Sequence, residues 1–296
     1  MLTEEIYMSD FVILTDSSCD LPAKIADELG LVVAPLTFEL DGKQYTNYLD
    51  WHEIDPHTFY DKLRAGSLAP TSAVNVGSFT ELMEPILKQG KDILYLGFSS
   101  GLSAAYQNGA IAAADLRAKY PDRTILTVDT LCASMGEGML VWLTAHKKME
   151  GKTIFECRDF AEDTKLHLVH WFTVEDLKYL WRGGRVSKTA ATVGTMLDIK
   201  PVMHVDNAGH LVPVYKVRGR KKSLKDLGNN TAKVAINLKE QTIFITHCDC
   251  GDEAEALGEQ IKQLGAKDVI INFVGPVIGS HSGPGTMAIY CVGTVR

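Results

Sequence analysis

Near the C-terminus one histidine stands between two serines and is flanked by glycines, in Gly279-Ser280-His281-Ser282-Gly283-Pro284-Gly285. An imidazole changes charge near neutral pH, and glycine lets the backbone approach a ligand closely. The segment follows an apolar run, Val269–Val274, and reads as a loop that serves either as a plain surface turn or as part of a site. Four further polar segments carry the hydroxyls. They are Thr15-Asp16-Ser17-Ser18-Cys19-Asp20, Pro70-Thr71-Ser72-Ala73-Val74-Asn75, Ser99-Ser100-Gly101-Leu102-Ser103 and Asp129-Thr130. Hydroxyls at helix starts commonly cap the helix. Together with helix-terminal N–H groups they can also hold a carboxylate without a full counter-charge.

Several chemistries are poorly served. There is no GxxxxGK[ST] phosphate cradle, and Ser100-Gly101-Leu102-Ser103 is no dinucleotide fingerprint. The Gly279–Gly283 stretch resembles a nucleophile elbow, but His281 stands where that motif needs serine. A hydrolase would need the fold to assemble Asp16, Ser17 and His281 into a triad. His247-Cys248-Asp249-Cys250, His167 and His170 lack a second cluster at zinc spacing, so no metal site is expected. Basic residues gather later, in Arg182-Gly183-Gly184-Arg185-Val186-Ser187 and in Lys216-Val217-Arg218-Gly219-Arg220-Lys221-Lys222. Glycine after a last helical turn is an ordinary stop signal, which explains the first group. The second opens a helix, where the dipole disfavours cations, and so suggests an anionic partner or a transferring phosphate.

The elements that must position these residues alternate in type. Short apolar strands at Phe11–Leu14, Leu31–Phe38, Ile93–Phe98 and Thr124–Val128 alternate with helices at Pro22–Leu29, Ser78–Lys88, Ser103–Lys119 and Ser134–Met149. That pattern predicts a mostly parallel sheet covered on both faces, with ligands beyond the carboxyl ends of its strands. After about residue 165 the pattern changes. A strand at Leu168–Val174 precedes short helices at Glu175–Trp181 and over residues 188–197. An antiparallel hairpin follows, Pro201–Val205 with His210–Val217, turning at Asp206–Gly209. A helix at Leu224–Leu238, a strand at Thr242–Thr246, a helix at Glu253–Leu264 and a strand at Asp268–Phe273 come last. The expectation is an α/β protein of two domains, residues 1–165 as a three-layer α/β/α unit and 166–296 as a two-layer unit on a mixed sheet.

Composition narrows the partners. The 296 residues carry a net charge of −7, which argues against nucleic acid. No uncharged apolar run reaches the length of a membrane span, and the N-terminus lacks the basic and apolar regions of a signal peptide. Six scattered cysteines fit reduced thiols in a cytoplasm.

Taken in order, these segments resemble the DegV family of bacterial fatty-acid-binding proteins. The motifs that carry the resemblance include Thr15–Pro22, Thr71-Ser72, Ser99–Ser103, Leu180–Ser187, Lys200-Pro201, Val217-Arg218 and Gly279–Gly285. Two stretches depart from the family pattern: Ala73-Val74-Asn75 after Thr71-Ser72, and Ala104-Ala105 after Ser103. The resemblance implies a buried long-chain fatty acid as the ligand, with no cofactor. Thr71 and Ser103 would hold its carboxylate, Ser72 and Ser100 would stand beside them, and His281 would lie close to the same head group. It also implies a separate ATP-binding fatty acid kinase subunit that phosphorylates the carboxylate, with Arg218 and Arg220 at the transfer site or partner contact. The chain itself would then be no enzyme. The alternatives are a small-molecule enzyme, either a hydrolase through Ser17 and His281 or a kinase-type subunit holding its substrate on His281, and a lipid sensor without a kinase partner.

Overall fold

The computed structural model of the chain describes residues 10–187 and 198–296; the helix expected over 188–197 lies outside them. Strands β1 (Phe11–Asp16), β2 (Val32–Ala34), β6 (Asp92–Gly97) and β7 (Ile125–Asp129) form a wholly parallel sheet in the order β2-β1-β6-β7. The two-residue period of β6 explains its continuous apolar run. Ile93 and Tyr95 pack with Phe79 and Met83 of α3 (Val76–Lys88) and with Ala112 and Leu116 of α4 (Ala105–Lys119). Leu94 and Leu96 face the other way, onto Met139 and Val141 of α5 (Met135–Met149) and Cys157 and Ala161 of α6 (Ile154–Thr164). A strand buried on both faces needs apolar residues at every position.

The later residues build a six-stranded mixed sheet, β10-β9-β8-β13-β11-β12. Its strands are β8 (Leu168–Thr173), β9 (Ile199–Val205), β10 (Leu211–Arg218), β11 (Thr242–His247), β12 (Asp268–Phe273) and β13 (Met287–Val292). Only β11 and β12 pair in parallel. Ile245, Ile289 and Val169 pack with Leu227 of α8 (Arg220–Val234) and Leu257 of α9 (Gly251–Gln263). The opposite face, with Phe172, Phe244, Ala288 and Tyr290, joins the core that contains α5. Helix α5 therefore lies between the two sheets.

Four expectations change. The apolar stretch Leu31–Phe38 is two strands, because β2 pairs with β1 while β3 (Thr37–Leu40) joins β4 (Lys43–Thr46) and β5 (Thr71–Ser72) in a small antiparallel sheet. Pro35, which has no N–H for a ladder, stands at the break. The helix expected from Leu224 begins at Arg220 and ends at Val234. The glycine-rich segment around His281 is not a loop: Pro276–Ser282 forms a short helix, α10. Pro276 at its first position needs no N–H partner, and Gly283 leaves it at φ +82. Finally β13, read as no element from the sequence, is a central strand of the larger sheet.

Candidate functional site

A cavity of about 210 Å³ opens between the two sheets. One side is built by the carboxyl ends of the parallel strands, through Ser18 after β1, Phe98 after β6, and Ala133 and Ser134 after β7. The other side is the inner face of the mixed sheet, through Phe172, Val205, Thr246, Ala288 and Tyr290, with α10 closing one flank. Leu36, Leu180, Val277 and Ile278 add apolar walls. This is where open parallel sheets place their ligands.

Thr71, Ser103 and His281 line one cavity although they come from β5, the start of α4 and α10. All three are half-buried, which puts them at the mouth. Helix α10 is held there by the small sheet and by α2 (Pro56–Arg64). The Tyr60 hydroxyl donates to the Val274 carbonyl at 2.5 Å, and the Val277 N–H donates to Asn47 Oδ1 at 3.2 Å. Thr71 Oγ1 then meets His281 Nε2 at 2.8 Å. Burial, with the Arg185 cation nearby, pushes the His281 imidazole down to about 4, so the ring is neutral at pH 7. Its other face abuts Gly183, where any Cβ would collide with Nδ1. Ser103 Oγ accepts from the Ala105 N–H at 3.2 Å and keeps its own proton to donate.

Arg185 completes the mouth, a role its sequence context as a helix stop concealed. Its Nε donates to the Leu102 carbonyl at 3.1 Å and a terminal nitrogen donates to the Gly183 carbonyl. Burial lowers its guanidinium pKa, and no carboxylate among the described residues offsets that cost. A half-buried cation without a counter-ion favours an incoming anion.

The remaining expected residues sit elsewhere. Ser72 and Ser100 are exposed and do not line the cavity; the Ser100 N–H donates to Asp129 Oδ1 at 3.2 Å. Arg218 is exposed at the end of β10. Arg220 opens α8 and donates to the Glu253 carboxylate at 2.6 Å. The hydrolase constellation does not assemble. Asp16 accepts from the N–H groups of Ser18 at 3.0 Å and Phe98 at 3.2 Å, Ser17 Oγ accepts from Leu36 N–H at 3.0 Å, and His281 is engaged by Thr71. Among the described residues no group of three or more His, Cys, Asp or Glu could hold a metal. Burial pushes the Cys248 and Cys250 thiols up to about 11 and about 12, away from thiolate chemistry.

The DegV family, described as "Uncharacterised protein, DegV family", matches residues 10–294. The chain belongs to the DegV family. A DegV domain-containing protein of Clostridium perfringens is 45% identical over 98% of this chain and 99% of its own length. Among solved DegV structures, one from Thermus thermophilus, described by its fatty acid binding, superposes with a TM-score of 0.86 at 29% identity, covering 96% of this chain and 99% of that one. A fatty acid binding DegV protein of Streptococcus agalactiae gives a TM-score of 0.82 at 29% identity, covering 95% and 98%. The mixed α/β architecture with one parallel and one mixed sheet is thus the DegV fold. Among the described residues no helix is long and apolar enough to cross a membrane.

Proposed function

We propose that the chain binds a long-chain fatty acid in this cavity and presents its carboxylate to a separate ATP-dependent kinase subunit. The observation that carries the reading is the mouth. A neutral imidazole, two hydroxyls and a guanidinium with no carboxylate partner among the described residues converge where apolar walls begin. Burying each methylene contributes about 0.8 kcal/mol, so the tail supplies the affinity while the mouth satisfies the charge. The solved relatives from Thermus and Streptococcus, described as binding fatty acids, support this ligand class.

In the transfer step a carboxylate oxygen attacks the γ-phosphorus of ATP, the bond to ADP breaks, and the products are acyl-phosphate and ADP. The mouth holds the carboxylate for that attack. Arg218 meets the partner or the moving phosphate, a role its exposure suits, and Arg220 stands next to it. Ser72 and Ser100 flank the mouth from outside. The same reading places the chain in the cytoplasm, where ATP is supplied. It also divides the chain into units at 1–165 and 166–296, in line with a parallel sheet drawn from residues before 130 and a mixed sheet drawn from residues after 167.

The test is to purify the protein from its host, extract it with organic solvent and identify the ligand by mass spectrometry. A near-stoichiometric fatty acid is expected. Absence of any fatty acid, with no binding on re-addition, overturns the reading. Adding the kinase subunit and ATP should then yield acyl-phosphate.

A further inference from the structure

Helix α10 carries His281 but cannot hold itself in place. It has seven residues, fewer than an isolated helix needs to persist, so bonds from elsewhere must set where it lies. Its N-cap, Gly275, has no side chain to satisfy the free N–H groups of the first turn. Two remote side chains supply the acceptors. Asp20 Oδ1 accepts from the Gly275 N–H at 2.9 Å, and Asn47 Oδ1 accepts from the Val277 N–H at 3.2 Å. Both are buried, at 2% and 1% exposure. A Cβ at Gly275 would lie 2.6 Å from Asp20 Oδ1, so the approach of the carboxyl requires glycine there.

Asp20 reaches further than α10. Its backbone carbonyl accepts from Asn272 Nδ2, on β12, at 2.8 Å, and its Oδ2 accepts from Ser134 Oγ at 2.6 Å. Ser134 stands directly before α5 with φ +52 and ψ −142. A residue with a side chain rarely adopts that conformation, and it persists only where the surroundings hold it. Asp20 thus ties the end of the parallel sheet to α5, β12 and α10, yet it does not line the cavity.

The tie extends to the mouth through the helix. His281 lies six positions after Gly275, roughly 9 Å along the axis at 1.5 Å per residue. Its ring sits between Thr71 Oγ1, at 2.8 Å, and the backbone of Gly183. A shift of the first turn of α10 therefore moves the imidazole off Thr71.

We infer that Asp20, with Asn47 as a second support, is a positioning residue of the head-group site, acting through α10 to seat His281 against Thr71. Its affinity readout rests on the fatty-acid reading above. The test uses the delipidated full chain, a fluorescent fatty-acid probe and displacement by stearic acid. Asp20→Ala should raise the Kd about tenfold, within the range of coupling between residues of one network. Asp20→Asn keeps an oxygen for the Gly275 N–H and should stay within about twofold of wild type. In a His281→Ala background Asp20→Ala should change the Kd by less than about twofold, because its effect passes through a ring no longer there. Asn47→Ala should repeat this pattern, and it takes the place of Asp20→Ala if that variant does not fold. An unchanged Kd in the folded variant overturns the inference, and so does an effect equally large without His281. A ligand-free readout is the NMR titration of the His281 imidazole, assigned by its loss in His281→Ala. In the folded variant it should move up from about 4 toward the ordinary 6.5. If wild type binds no stearic acid, the fatty-acid reading sinks and the titration alone decides: an unmoved His281 then overturns the positioning role as well.

Discussion

His281 Nε2 and Thr71 Oγ1 lie 2.8 Å apart although 210 residues separate them in the chain. The contact joins α10 to the two-residue strand β5, which pairs with β3 through Phe38↔Thr71 and Thr37↔Ser72. Each partner thereby orients the other, and the neutral ring and the hydroxyl face the same cavity.

Removing a hydroxyl from the mouth should weaken ligand retention without emptying the tunnel. Thr71→Val and Ser103→Ala are each expected to raise the fatty-acid Kd roughly thirtyfold, the equivalent of about 2 kcal/mol for a hydrogen bond to a charged group. Displacement titration measures this, and an unchanged Kd in both variants would remove these residues from the head-group site.

Gly183→Ala tests the close approach of backbone to imidazole. A Cβ at Gly183 would collide with His281 Nδ1, so the ring must shift off Thr71. Overpacking of this kind costs about 1–3 kcal/mol. Fatty-acid affinity should fall together with stability in urea unfolding, whereas a substitution at the exposed Ser100 should change neither.

Asp20 makes a prediction with a definite sign. Its folded value of about 8 exceeds the ordinary 3.8, so the folded state holds the proton between these limits. Stability contributed by this group is therefore full below about pH 4 and is lost as pH rises to about 8. Asp20→Asn keeps an oxygen to accept from Gly275 N–H and an amide group beside the Ser134 hydroxyl, so it should remove this pH dependence with little loss of stability. Asp20→Ala leaves both partners unpaired and should cost on the order of 3 kcal/mol. Unfolding free energies measured from pH 4 to pH 8 would separate the three proteins.

Arg218→Ala should leave the fatty-acid Kd unchanged and slow acyl-phosphate formation with the kinase subunit about tenfold or more, as expected for a lost contact to phosphate or to the partner. Loss of fatty-acid binding in this variant would place Arg218 in the binding site instead.

Much of the fold was legible in the residues because burial imposes local patterns. Strand β6 announced itself as an unbroken apolar run, and the hairpin of β9 and β10 through its turn at Asp206–Gly209. Helix α6 carries a readable start as well, in the reciprocal capping box of Thr153 and Glu156, although its interior lacks a clear apolar stripe. Strand β13 has an apolar run, Met287–Val292, but it follows a glycine-rich segment that reads as a loop. Strand β5, only two residues long, has no periodicity to detect.

The order of motifs along the chain was enough to determine the family, the alternation of strands and helices, and the candidacy of Thr71, Ser103 and His281. Only tertiary structure decided which of the polar residues share a cavity. It set Thr71 against His281, left Ser72 and Ser100 exposed, and brought Arg185 to the mouth with no carboxylate partner among the described residues. The reason is physical. Hydroxyl and imidazole chemistry is written residue by residue, but burial and desolvation depend on what the folded chain packs around each group.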